Sequence, residues 1–99
     1  MESSSRPFQV WDEGGRGGYV LYAEEGAGTL RFWREFMAFG VMVTVPTIAE
    51  WDGWCERGGD AWARGRRDEI IDRLVDGLLR DRARGCTVRR SAREIEFHC

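Results

Sequence analysis

The chain has 99 residues, enough for one domain, and its 42% hydrophobic content excludes a disordered polypeptide. A formal net charge of −2 argues against a dedicated nucleic-acid binder. No apolar run approaches the roughly 20 residues needed to span a bilayer.

All fifteen basic residues are arginine, and lysine and asparagine are absent. That usage suggests a GC-rich bacterial or phage genome. Charge is uneven, at net −5 over residues 1–60 and net +3 over residues 61–99. Such asymmetry marks either an interaction face or two halves of one domain that pair with each other.

Residues 1–18 are expected to be a flexible segment, with Met1 to Arg6 a polar tail. Within that segment, Phe8 to Trp11 alternates weakly and suits a short edge strand. Asp12 to Gly18 is Gly-rich, but no Gly-Lys-Ser/Thr follows and a strand comes next. A phosphate loop is therefore excluded by context, and a linker or hairpin loop is favoured.

A single α+β domain is expected over residues 19–99. Tyr19 to Glu24 has β composition, and Glu25 to Gly28 is a turn signal. Thr29 to Met37 alternates, with Leu30, Phe32, Arg34 and Phe36 in one row and Arg31, Trp33, Glu35 and Met37 in the other. These two segments read as an antiparallel hairpin. After a second turn, Val41 to Val45 is a near-continuous apolar run, a buried central strand stopped by Pro46.

Thr47-Ile-Ala-Glu50 is a capping box opening a short helix to about Arg57. Gly58-Gly59 breaks it. The segment Asp60 to Arg84 then reads as the central helix, capped by Asp60 or, if shorter, by Asp68. Ile70-Ile71, Leu74-Val75 and Leu78-Leu79 form one broad apolar stripe. Glu69 with Arg73 and Asp76 with Arg80 are spaced as stabilising pairs. Gly65 and Gly77 each weaken this helix by about 1 kcal/mol, so packing must hold it. Gly85 suits the left-handed stop. Thr87-Val88 regains β character, and Ile95 and Phe97 alternate with Glu94, Glu96 and His98 as a half-buried strand.

The expected fold is thus α+β, ordered β-β-β-α-α-β. An antiparallel sheet of three to five strands carries the long helix on one face, and its other face is solvated or partnered.

Candidate chemistry is sparse. Cys55, Cys86 and Cys99 are odd in number and widely spaced, and no leader segment is apparent, so free thiols in a reducing cytoplasm are expected. Cys86, His98 and Cys99 lack metal-site spacing, and neighbours in a strand face opposite ways. No nucleophile or oxyanion motif is present. The chain is therefore expected to have no catalytic residues, metal or cofactor.

Five tryptophans are rich for this size. Trp51 suits a core plug, whereas Trp54 and Trp62 lie between Gly-rich breaks and arginines. Tryptophan and arginine dominate interface hot spots. The expected contact set is Trp54, Trp62, Arg64, Arg66 and Arg67, with a second basic cluster at Arg89, Arg90 and Arg93. The favoured function is a protein-interaction module: a homodimer, an inhibitor or immunity-type partner, or an adaptor. Nucleic-acid binding through the arginine clusters is the first alternative. A small metal- or thiol-dependent enzyme is the second.

Overall fold

The computed structural model describes residues 7–14, 17–81 and 83–99. The polar tail at residues 1–6 and part of the Gly-rich loop lie outside them. Six strands are found: β1 (Phe8–Asp12), β2 (Gly18–Glu24), β3 (Gly28–Met37), β4 (Gly40–Thr44), β5 (Thr87–Arg90) and β6 (Glu94–His98). They form one antiparallel sheet in the order β1-β2-β3-β4-β6-β5, curled into half a barrel. Two helices, α1 (Ile48–Arg57) and α2 (Arg67–Asp81), separate β4 from β5 in the chain. A 3-10 turn at Ala61–Ala63 lies between them.

This corrects the expected topology in two places. The element order is β-β-β-β-α-α-β-β, with six strands rather than three to five. β1 pairs with β2 along its whole length, from Phe8↔Glu24 to Asp12↔Val20. β5 forms a hairpin with β6 and lies at the far edge. Both strands are short and weakly patterned, and both are held from distant parts of the chain. β5 is tied by a Cys86–Cys99 disulfide beside the Thr87↔His98 pair. β1 is held by α2, where Val10 rests on Gly77.

That crossing explains a glycine that looked like a helix defect. A Cβ added at Gly77 would lie 2.6 Å from Val10 Cβ. Gly77→Ala should gain about 1 kcal/mol of helix propensity but lose about 1–3 kcal/mol to overpacking. The expected net result in urea denaturation is destabilisation. In a Val10→Gly background, which removes the clashing Cβ, the same change should become stabilising, and a stabilising Gly77→Ala in the wild type would refute the crossing.

α2 is shorter than expected because Gly65 adopts φ 72° and Arg64 is extended. Asp60 to Arg64 is therefore a 3-10 turn and its exit, and the helix begins at Arg67. The apolar stripe behaves as its spacing requires. Ile70, Ile71, Leu74, Val75 and Leu78 are buried, and Leu79 packs partly against the core. The sheet's inner face meets them with Val20, Tyr22, Leu30, Phe32, Val43, Ile95 and Phe97. Gly85 takes φ 78° past the helix end, and Ala83 N–H donates to Leu78 O at 2.7 Å.

Two charged side chains sit in this apolar row, Glu24 and Arg34. Arg34 donates from Nε to Asp12 Oδ2 and from Nη2 to Asp12 Oδ1, both at 2.7 Å. Glu24 accepts from Tyr22 Oη at 2.5 Å, from Arg66 Nη2 at 2.6 Å and from Arg73 Nη1 at 3.1 Å. Arg66 also donates from Nε to Glu69 Oε1 at 3.0 Å, and Arg73 pairs with Glu69 at 3.3 Å. Burial alone would raise the Glu24 carboxyl. The Arg66 and Tyr22 hydrogen bonds outweigh it and hold the group below the usual carboxylate range. This cluster fastens the start of α2 to the end of β2.

Cys86 and Cys99 are bonded to each other, which corrects the expectation of free thiols. Cys55 alone is a free cysteine, and it is buried. Burial, then the nearby Asp60 and Asp52, pushes its thiol up to about 11, so it is a poor nucleophile at neutral pH. A thiol titration of the denatured, unreduced protein should therefore find Cys55 only. Reduction should expose all three cysteines. Cys86→Ser should cost about 3 kcal/mol, as expected for a loop of this size. Three thiols without reductant would contradict the disulfide.

Candidate interaction site

The site is built on a gap beside β3. A two-residue turn, Ala38-Phe39, joins β3 to β4 and opposes Met37 to Gly40. Such a turn is closed by a hydrogen-bonded pair. Alternation then directs the backbone N–H and C=O groups of Glu35, Trp33 and Arg31 toward β4's side of the strand. The β3–β4 pairing ends at Arg34↔Val43. Beyond it β4 turns away, because Val45 N–H donates to Arg93 O at 2.8 Å and Pro46 cannot continue a ladder. Among the described residues, no strand lies across from Arg31 on that side.

The gap is an open groove of about 440 Å³. One wall is the outer face of the sheet. There Tyr19 and Trp33 meet edge to face at 5.4 Å, and the Arg31 guanidinium sits 4.2 Å over the Tyr19 ring. The floor is Phe32, on which Trp54 of α1 stacks at 5.5 Å. The far wall is the Thr44–Pro46 corner, with Glu50, Arg57 and Arg93.

Three arginines and one carboxylate line this groove, and that carboxylate is already engaged; Arg31 also meets Glu13, outside the lining, in a loose surface pair at 3.8 Å. Glu50 Oε1 accepts from Thr47 N–H at 3.1 Å, while Thr47 Oγ1 accepts from Glu50 N–H at 3.2 Å. The Thr47 amide, followed by Arg93, holds the Glu50 carboxyl below its ordinary value. Arg93 reaches it at 3.3 Å with 65% of its side chain exposed, a pair of the weak surface kind. The groove is locally basic on a chain that is acidic overall.

The outer face is also apolar at its centre. Trp11 and Trp33 are 39% and 40% exposed, and Met37 is 40% exposed. The Trp11↔Leu21 and Tyr19↔Trp33 pairings put these residues on one surface with Met42. The two helices pack on the opposite, inner face.

The expected contact residues are distributed as follows. Trp54 is half-buried and lines the groove. Trp62 lies against Gly28 at the start of β3, and its Nε1 donates to Asp60 Oδ1 at 3.2 Å. Arg64 pairs with Glu56 at 2.9 Å on the surface. Arg66 belongs to the Glu24 cluster. Arg67 donates to Pro46 O at 2.8 Å and Ala92 O at 3.0 Å, bracing the groove's far corner from behind. Arg66 and Arg67 thus line one cleft beside Asp68 and Glu69, each engaged by the fold, while Arg64 lies apart on Glu56.

In the second cluster, Arg89 lies on the outer face opposite Glu96, and Arg90 pairs with Asp72 at 2.7 Å. Arg93 alone reaches the groove, where it joins Trp54. Sequence reasoning missed Tyr19, Arg31, Trp33 and Arg57. The outward row of β3 did carry a signal, since Arg31, Trp33 and Met37 alternate on the face opposite Leu30 and Phe32.

His98 bonds Glu96 Oε1 at 2.8 Å and stacks on Phe39 at 4.1 Å. With Cys86 and Cys99 joined, the oxidised chain offers no thiolate there. Among the described residues no group of three metal-ligating side chains comes together. None of their helices is long and apolar enough to cross a membrane. No protein-family model, curated protein or solved structure matches the chain.

Proposed function

We propose that this chain is a non-catalytic protein-interaction module that holds its partner in the groove beside β3. The observation that supports it is the exposed Trp33 set among Arg31, Arg57 and Arg93, on a sheet face that neither helix covers. Tryptophan and arginine at the centre of a concave apolar patch are the chemistry of interface hot spots. A homodimer, an inhibitor or immunity-type protein and an adaptor are all forms of this reading.

Nucleic acid is the alternative partner. It finds less support, because Arg64, Arg66, Arg67 and Arg90 are engaged with carboxylates or carbonyls of the fold. The thiol- or metal-dependent reading would require the Cys86–Cys99 bond to open.

The test uses the partner recovered after nuclease treatment, titrated against purified variants. Trp33→Ser combined with Arg93→Glu should weaken binding by about 2 kcal/mol or more while the melting temperature stays close to wild type. Undiminished binding would refute the groove as the interface. Trp54→Ala with Trp62→Ala should also lose the partner. Those rings also touch Phe32, Trp51 and Gly28, so Trp33 is the cleaner probe.

A cytoplasmic location is part of this proposal, although the Cys86–Cys99 bond is of the kind that persists in oxidising compartments. Its test is the state of Cys86 and Cys99 in acid-quenched cells. A persistent disulfide there would mark an oxidising compartment instead.

A further inference from the structure

We infer that the groove takes an extended, acidic peptide segment of the partner, which adds as a strand to the unpaired edge of β3 at Arg31. The inference rests on the interaction-module reading and specifies the ligand. Three observations carry it.

First, the edge is free where the groove is open. Arg31 turns its backbone donor and acceptor toward β4's side, and the ladder ends at Arg34↔Val43. An unpaired strand edge is a template for another chain. Strand addition supplies main-chain hydrogen bonds for affinity, and flanking pockets select alternate side chains.

Second, the flanks fit a peptide. In an added strand, side chains point alternately to the two faces. One row would lie against Trp33 and Tyr19 on the outer face. The other would point down to Trp54 on the floor. An apolar side chain suits either position.

Third, the charge selects the peptide's composition. Arg31, Arg57 and Arg93 surround the edge; Glu50 is already held by Thr47 and Arg93, and the exposed Arg31–Glu13 pair at 3.8 Å is of the weak surface kind that a closer carboxylate displaces. One or two carboxylates on a short segment would meet these guanidiniums. A nucleic-acid strand would run on past the groove. The strand pairings put Glu35, Glu94 and Glu96 on that same outer face, where they would repel its phosphates.

The experiment selects binders from a display library of random dodecapeptides against the folded, oxidised protein, with a fluorescent oligo-dT strand as a second probe. Selected peptides should be rich in aspartate and glutamate interleaved with apolar residues. Backbone N-methylation at alternate positions of a selected peptide should abolish binding, whereas methylation at the intervening positions should not. Trp33→Ser should weaken it by about tenfold or more. Arg57→Glu with Arg93→Glu should shift the selected sequences from acidic to basic. These three side chains are at the surface, and thermal melting confirms that the variants are folded.

Binding that tolerates N-methylation at every position would overturn strand addition. Preference for oligo-dT over every selected peptide would overturn the ligand class. If the intact partner binds through Trp33 but no linear peptide does, the strand-addition inference fails and the interaction module survives. If the intact partner is insensitive to Trp33→Ser, the module reading fails with it.

Discussion

Glu24→Ala is expected to cost the domain about 3–5 kcal/mol, the usual penalty for breaking a buried ion pair. The carboxylate accepts from Tyr22, Arg66 and Arg73 at once, and its side chain is fully covered. Without it, two largely buried guanidiniums would share Glu69, itself only partly covered. Small domains have about 5–15 kcal/mol of total stability, so this one change should bring the protein close to unfolding.

The pH dependence follows from the same contacts. The folded Glu24 carboxyl is held below its ordinary value of 4.5. Its contribution is therefore complete above that value and is lost as pH falls through the lowered one. Tyr22 behaves oppositely. Burial, then its bond to Glu24, pushes the phenol from 10.0 up to about 12. The stability it contributes is full below pH 10.0 and disappears as pH rises toward about 12. Urea unfolding across the acid range should show a shallower acid limb for Glu24→Ala than for wild type. Equal slopes would mean that Glu24 is not ionised in a tight pair.

Trp51→Ala is the second large effect, also about 3–5 kcal/mol. The ring is 1% exposed, and its Nε1 donates to Ala63 O at 2.8 Å. It lies 6.3 Å from Phe32 and 5.2 Å from Trp54. It therefore joins α1, the 3-10 turn and the sheet at one point. Trp51→Phe should cost less, because most of the volume remains, but it leaves the Ala63 carbonyl without its indole donor. Trp54→Ala should be milder than Trp51→Ala, since Trp54 is only half-buried. Equilibrium denaturation of the three variants tests the order. If Trp54→Ala proved the most damaging, Trp54 would be the core residue and the groove would lose its floor.

The parts of this fold that were legible in the sequence are those with local physics. The stripe from Ile70 to Leu79, the Thr47–Glu50 capping box, the stop at Pro46 and the Glu25–Gly28 turn each follow from neighbouring residues. The start of α2 was misread because Asp60 to Arg66 has helix-compatible composition, and only the left-handed Gly65 reveals the break. β1 and β5 were undercounted because each is held by distant residues: Val10 on Gly77, and Cys86 on Cys99. Arg34 and Glu24 do carry a signal in the sequence. Each is a charge in an otherwise apolar alternating row, and a buried charge must find a partner.

The candidate site was only half legible. Trp54 and Arg93 are 39 positions apart in the chain and meet because β4 turns into α1 beside the β5–β6 turn. The groove itself arises where two strands separate, and no local pattern encodes a missing neighbour. The arginine clusters misled for the opposite reason. Arg64, Arg66 and Arg67 are adjacent in sequence, but the chain leaves a 3-10 turn and enters a helix across them, so their side chains diverge to Glu56, Glu24 and Pro46.

The most direct test of the groove is amide hydrogen exchange of the protein alone and saturated with its recovered partner, resolved to single strands. The expected result is new protection at the Arg31 and Trp33 amides, whose N–H groups face the groove, with the β1 and β5 edges unchanged. Protection gained at β1 or β5 and none beside β3 would place the interface on a sheet edge and contradict the groove.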